Sequence, residues 1–317
     1  MLHVLLLVAS AAAIYFSCEL FVNAVEHLGR LLRLGTLAVG TVLAAIGTAL
    51  PESVVTGVAV TGGHTGDLGI GAALGGPLAL ATLAYAVVGI TLLVRRASLP
   101  SIDTARLSRD QRWFLWVFAA KIGLGLVAFA WKPWLGLVFF ALYAGYVVVE
   151  LRESGDDAEE ALEPLKLGGS AAPRMLPVLV QTLATLAVVF VASQVFVDQL
   201  SWAGPQLGLS AAVTALLLAP VATELPEVMN ALIWVRQGKA QLALSNISGS
   251  MMVQATVPSG LGILFTRWDL HGPLLVSAAA TAAAILYLLV VMRRLSGATL
   301  AAAGGFYLAF AVLLVLV

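Results

Sequence analysis

The sequence predicts an all-α integral membrane protein, with ten transmembrane helices built as two inverted five-helix repeats. Three observations carry that prediction. The chain is 61% hydrophobic and only 11% charged, against about 45–50% apolar and about 25% charged residues in ordinary soluble domains. Its apolar residues gather into ten stretches of about 20 residues, the length a helix needs to cross a ~30 Å hydrocarbon core. The same unusual word also occurs once in each half: Ala45-Ile46-Gly47-Thr48-Ala49-Leu50-Pro51-Glu52 and Val221-Ala222-Thr223-Glu224-Leu225-Pro226-Glu227. The ten-residue alternating pattern of an outer-membrane barrel is absent.

The segments run over 2–28, 36–61, 68–94, 112–130, 133–150, 175–200, 207–235, 240–265, 271–292 and 298–317. The first lacks the basic n-region and small-residue cleavage site of a signal peptide, so it reads as a retained helix. The second and seventh carry the Pro-Glu word. The fourth contains a lone Lys121, which reads as snorkelling or paired. Between the fifth and sixth lies the only substantial loop, acidic and punctuated by Gly and Pro (Glu153, Asp156, Asp157, Glu159, Glu160, Glu163). It reads as a solvated linker over 151–174 between a first repeat, 1–150, and a second, 175–317.

Orientation follows from arginine and lysine. Loops after odd-numbered segments hold fourteen of them (Arg30, Arg33, Arg95, Arg96, Arg106, Arg109, Arg112, Arg152, Lys166, Arg174, Arg236, Lys239, Arg293, Arg294), against Lys132 and Arg267 on the other side. The positive-inside rule then puts both termini outside and the 151–174 linker in the cytoplasm, which suits a multi-pass protein of the cell inner membrane. Segments 1 and 6 run in opposite directions, so the repeat is inverted. Its register is visible too. Adding 175 maps Leu20-Phe21-Val22-Asn23 onto Val195-Phe196-Val197-Asp198, Thr48 onto Thr223, Pro51 onto Pro226 and Glu52 onto Glu227.

A charge deep in an apolar segment costs about 2.5–3.5 kcal/mol on insertion scales, so Glu52 and Glu227 read as functional. Proline has no N–H and clashes with the carbonyl four residues back. Pro51 therefore frees the carbonyl of Gly47, and Pro226 that of Ala222. Such oxygens are tolerated at membrane depth where they face protein or a wet cavity, and hard cations bind clusters of oxygens. Thr48 and Thr223 each stand four residues before a Pro-Glu glutamate, Glu224 three before Glu227 and Asn230 three after it, so each pair shares a helix face. Asn246, Ser250 and Gln254 recur every four residues and form one polar stripe. Glu19 and Asn23, with Gln194 and Asp198 at the equivalent positions, divide between pathway and structural roles.

Other chemistries have little to stand on. A net charge of zero gives no argument for nucleic acid. The single Cys18 excludes an internal disulfide and a cysteine metal cluster. His3, His27, His64 and His271 are scattered near segment ends with no HxxxH spacing and read as interfacial. No Gly-x-Ser-x-Gly motif or intramembrane Asp pair supports an enzyme.

The two words resemble those of the cation/Ca²⁺ exchanger superfamily, the sodium/calcium exchangers and their bacterial relatives. Its Gly-Thr-Ser-x-Pro-Glu signature is similar to Gly47–Glu52 and Ala222–Glu227. Its Gly-Asn-x-x-Gly-Ser-Asn/Asp signature falls on Gly71-Ala72-Ala73-Leu74-Gly75-Gly76-Pro77 and on Ser245-Asn246-Ile247-Ser248-Gly249-Ser250-Met251. The resemblance implies ten helices in inverted halves, alternating access, no cofactor beyond the transported ions, and cation sites between helices 2, 3, 7 and 8. Glu52 and Glu227 match its site carboxylates, and Asn246 and Ser250 its helix 8 polar pair. The chain departs at Ala49 and Glu224, where the family has serines, and at Pro77 and Met251, where it has Asn or Asp. Ala72 and Gly76 likewise replace polar residues of helix 3.

A carboxylate is thus lost from helix 8 and one appears at Glu224, which leaves Glu52, Glu224 and Glu227 as the expected metal ligands. Adjacent carboxylates in a low dielectric resist joint ionisation, which points to proton coupling. The implied activity is a secondary antiporter moving Ca²⁺ or a similar divalent cation against Na⁺ or H⁺. The alternatives are a monovalent Na⁺/H⁺-type exchanger, an exchanger of another divalent metal near the Met251 thioether, or a degenerate transporter acting as sensor or scaffold. Inorganic cations and the bilayer are the expected partners, and a monomer suffices.

Overall fold

The computed structural model describes residues 1–49, 53, 56–57, 66–96, 102–153, 162–170, 173–208 and 214–316. Leu50, Pro51 and Glu52, His64, and the linker residues Asp156, Asp157, Glu159 and Glu160 lie outside them. Ten helical segments follow one another among the described residues. They are α1 (Leu2–Leu31), α2 (Thr36–Ala49), α3 (66–94), α4 (Thr104–Gly125), α5 (Gly136–Glu153), α6 (Met175–Gln206), α7 (214–236), α8 (Ala240–Phe265), α9 (Pro273–Val291) and α10 (297–316). At 1.5 Å per residue, α1 and α6 exceed the ~30 Å hydrocarbon thickness. They pack along each other and present outward apolar faces such as Leu5, Phe16, Leu183 and Val191.

At the centre stands α8, with 21 of its 26 residues buried. It touches α2, α3, α4, α5 and α7. Small residues let these helices approach, as in membrane bundles generally. A Cβ on Gly249 would lie 2.3 Å from the Thr41 carbonyl oxygen in α2, and one on Gly75 of α3 would lie 2.5 Å from Pro220 Cγ in α7. Each glycine is the repeat counterpart of the other, and each packs on the other half.

The repeat also shows in the backbone. Within α2 the turns widen to π geometry over Val39–Ala44, and within α7 over Thr214–Leu218. The offset of 175 read from the sequence carries the start of the first stretch onto the start of the second. A third such stretch, Leu80–Ala84, interrupts α3. Wide turns of this kind often accompany functional sites.

Two expectations change. α4 begins at Thr104, capped by Asp103, whose Oδ1 accepts from Arg106 N at 2.9 Å. Its first turns carry Arg106, Arg109 and Asp110, which made them look like loop. There Arg106 donates to Glu150 at 2.7 Å, Arg109 pairs with the same carboxylate, and Thr41 donates to it at 3.1 Å. Glu150 is fully buried, so these arginines bind α4 to α5 instead of lining a loop.

The linker is not wholly solvated either. Residues 162–170 dock on α1. Asn23 Oδ1 accepts from Lys166 N at 2.9 Å, Asn23 Nδ2 donates to Pro164 O at 3.2 Å, and Lys166 Nζ meets Glu19 at 2.5 Å. Leu165 inserts beside Ala24 and Val178. Glu19 and Asn23 are therefore docking residues.

Candidate cation site

The site is organised by a break in α7. A short helix, Ala219–Thr223, ends at Glu224 (φ −83°, ψ 1°), and a second, Leu225–Arg236, starts with Pro226 in its first turn. Lacking an N–H, Pro226 cannot continue the helical ladder to Ala222. Glu227 falls in the first turn of the second half-helix, where the dipole favours negative charge.

The α7–α8 hairpin turns at residues 237–239, so its helices are antiparallel and residues pair by level. One level is observed directly. Gln254 Nε2 reaches both carboxylate oxygens of Glu224 at 2.6 Å. One turn along α8 and one along α7, Ser250 stands level with Glu227. A further turn brings Asn246 level with Asn230.

Glu227, Asn230, Asn246 and Ser250 are all fully buried. Among the described residues, both oxygens of Glu227, both amide atoms of Asn230 and of Asn246, and the Ser250 hydroxyl have no hydrogen-bond partner. Buried polar groups are nearly always satisfied; each left alone costs about 1–3 kcal/mol. A group of them on facing helices therefore calls for an occupant. Thr48 on α2 lies beside the Glu227 carboxylate outside hydrogen-bond geometry, its hydroxyl donating to Ala44 O at 3.1 Å. From α1, Cys18 Sγ approaches Pro226 O at 3.7 Å.

Glu224 occupies the space left by Gly76. A Cβ there would lie 2.5 Å from Glu224 Oε1 and 2.4 Å from Gln254 Oε1. The missing side chain on α3 and the extra carboxylate on α7 are thus two sides of one exchange of volume. Beside them opens a cavity of about 120 Å³, lined by Thr48 of α2, Thr56, Ala73 of α3, Ser193 and Gln194 of α6, Thr223 and Glu224 of α7, and Gln254 of α8.

The sequence-derived residues therefore divide. Glu224, Thr48 and Thr223 border the cavity. Glu227, Asn246 and Ser250 form the unsatisfied group with Asn230, which stood on the right face in the sequence. Gly47 abuts the Phe21 ring, and Ala222 is buried in the short half-helix. Of the altered positions, Ala49 packs with Ala45 and Val253, Pro77 is buried inside α3, and Met251 belongs to the main apolar core. Glu52 lies outside the described residues. Among the described residues, no three His, Cys, Asp or Glu side chains converge as a metal cluster. The donors on view are a carboxylate with amide and hydroxyl oxygens, a set suited to hard cations.

Sequence reading missed Ser193; it named Gly76 only as a lost polar position, and Lys121 only as snorkelling or paired. Lys121 neither snorkels nor pairs with a carboxylate among the described residues: it is fully buried and donates to Ala73 O at 2.8 Å and Ser259 Oγ at 3.2 Å. The one available signal was the lack of any acidic partner at helical spacing in its own segment.

Comparison with known proteins gives a consistent answer. The sodium/calcium exchanger protein family profile matches residues 2–152 and 177–317. The inner membrane protein YrbG of Escherichia coli is 26% identical over 274 residues, 86% of this chain and 82% of that protein. An uncharacterized membrane protein of Methanocaldococcus jannaschii, MJ0091, is 26% identical over 254 residues, 80% of this chain and 78% of that one. The solved structure of the sodium-calcium exchanger NCX_Mj, soaked with Na⁺ and Sr²⁺, shares the fold with a TM-score of 0.76 at 22% identity, covering 99% of this chain and 98% of that one.

Proposed function

Because the chain belongs to the sodium/calcium exchanger protein family, a family of transporters and not of enzymes, we propose that it is a secondary antiporter moving Ca²⁺ or a similar divalent cation against Na⁺ or H⁺. The observation that carries this is the fully buried Glu227 with its unsatisfied neighbours Asn230, Asn246 and Ser250. In this reading Glu227 and Glu52 supply charge to the ion, and Asn246, Ser250, Thr48 and Thr223 supply neutral oxygens. The carbonyls of Gly47 and Ala222, each four residues before a proline in the sequence, complete the shell. Glu224, held by Gln254, adds a carboxylate at the cavity wall.

Alternating access has a natural moving part. α1 and α6 pack on each other, and α6 borders the cavity through Val189, Ser193 and Val197. Sliding of this pair against α2, α3, α7 and α8 would open the site to one side and then the other. The repeats, 1–150 and 175–317, each contribute one Pro-Glu word. In this reading both termini face outside the cell and residues 151–174 lie in the cytoplasm of an inner membrane, which the distribution of lysine and arginine supports, and a monomer is adequate.

Flux in proteoliposomes tests the reading. Loaded vesicles should take up Ca²⁺ or another divalent cation when an outward Na⁺ or H⁺ gradient is imposed, and Glu52→Gln and Glu227→Gln should each abolish it. Wild-type rates in both variants would overturn the assignment. Exchange of Na⁺ for H⁺ alone would favour a monovalent exchanger, and no flux with any cation a sensor or scaffold.

A further inference from the structure

Two prolines stand inside helices at the cavity, Pro77 in α3 and Pro258 in α8. Each lacks the N–H that would bond the carbonyl four residues back, so the carbonyls of Ala73 and Gln254 lose their helical donors. Both residues line the cavity, as does Pro258. One side chain serves both carbonyls. Lys121 Nζ of α4 donates to Ala73 O at 2.8 Å and to Ser259 Oγ at 3.2 Å, and Ser259 Oγ donates in turn to Gln254 O at 3.2 Å. The ammonium lies 4.9 Å from the centre of the Phe118 ring, a favourable cation–π distance. The Lys121 carbonyl is held by Trp268 Nε1 at 2.9 Å.

Among the described residues Lys121 has no ion-pair partner, and a buried cation of that kind is costly unless something else requires it. Its surroundings here are a freed carbonyl, a hydroxyl and a ring face, and the oxygens are of the neutral kind that hard cations take as ligands. We propose that the Lys121 ammonium is a tethered cation, occupying on the α3 side of the site a position that would otherwise take a mobile Na⁺. The proposal rests on the reading of the neighbouring site as one for cations. It accounts for the loss of polar residues at Ala72, Gly76 and Pro77: a helix that receives an ammonium group at a backbone carbonyl needs no side-chain ligand there.

The test uses the full chain, purified in detergent, as wild type, Lys121→Met, Lys121→Gln and Lys121→Arg. Thermal unfolding is followed as NaCl replaces choline chloride at constant ionic strength, and bound Na⁺ is counted by equilibrium dialysis with radioactive sodium. The expected result is one more Na⁺ per chain in the Met and Gln variants than in the wild type. A Na⁺-dependent rise in Tm absent from the wild type should accompany it, and the Arg variant should respond as the wild type does. Equal Na⁺ counts and equal Tm responses would overturn the proposal. Should the neutral variants fail to fold in choline, recovery by Na⁺ supports it and failure to recover in high Na⁺ refutes it. Flux of the wild type separates the two readings. Normal flux with no Na⁺ gain in the variants sinks only the tethered cation; absent flux with a clear Na⁺ gain sinks only the antiporter.

Discussion

Replacing Glu227 by glutamine should change stability in opposite directions with and without cations. The wild-type carboxylate is fully buried, and neither oxygen has a hydrogen-bond partner among the described residues. An ion in that position costs about 1–3 kcal/mol or more when nothing compensates it. Glutamine keeps the shape and removes the charge, so in cation-free buffer Glu227→Gln should be the more stable protein by about 1–3 kcal/mol. A cation at 100 times its Kd stabilises the wild type by about 2.7 kcal/mol. At the lower end of about 2–4 °C per kcal/mol, suited to a long chain, that is a rise in Tm on the order of 5 °C. The variant, lacking the ligand, should show almost none. Thermal unfolding in detergent, titrated with Ca²⁺, Mn²⁺ and Na⁺ in turn, should therefore give curves that converge or cross. A Glu227→Gln protein that starts less stable and keeps the full cation-dependent rise would refute the reasoning, because Glu227 would then be neither a buried unpaired charge nor a ligand.

Two further outcomes follow from the packing. Gly76→Ala places a Cβ 2.4 Å from Gln254 Oε1 and 2.5 Å from Glu224 Oε1, forcing apart two buried, mutually bonded groups. A loss of about 1–3 kcal/mol from overpacking, less up to ~1 kcal/mol of gained helix propensity, should appear as a lower Tm together with loss of flux, whereas unchanged flux would detach this pair from transport. At the linker, Asn23→Ala removes the bonds to Pro164 O, Lys166 N and Gln181 Nε2 and should weaken docking by about 1–3 kcal/mol. Glu19→Ala removes only a partly exposed ion pair and should cost under about 1 kcal/mol. Limited proteolysis within 151–174 ranks them; equal cleavage rates in the two variants would contradict the assignment of Asn23 as the anchor.

Much of the fold was legible because the membrane enforces it. With no water to satisfy backbone groups, each apolar stretch must form a helix, and α8 matches its sequence-derived bounds of 240–265. Where a helix begins in polar residues, that logic fails. α4 starts at Thr104, and its early charges are satisfied by Glu150, a partner 44 residues away in the chain that no local pattern reveals. The linker failed similarly: its docking depends on Asn23 and on the small apolar contact of Leu165, not on composition.

The candidate site shows the same division. By itself the sequence determined the membrane class, the ten segments, the doubled Pro-Glu word and the 175-residue offset, because covalent order and apolar periodicity are local properties. It also put Glu227, Asn230, Asn246 and Ser250 on the right helix faces, since 3.6-residue periodicity fixes which residues align. Only the tertiary structure decided what those faces meet. It set Glu224 against Gly76 and Gln254, left Glu227 and its neighbours without hydrogen-bond partners among the described residues, turned Met251 into the core, and brought Lys121 from α4 to a carbonyl on α3. Each outcome depends on contacts between distant segments, where close packing and the need to satisfy buried polar groups select the partner.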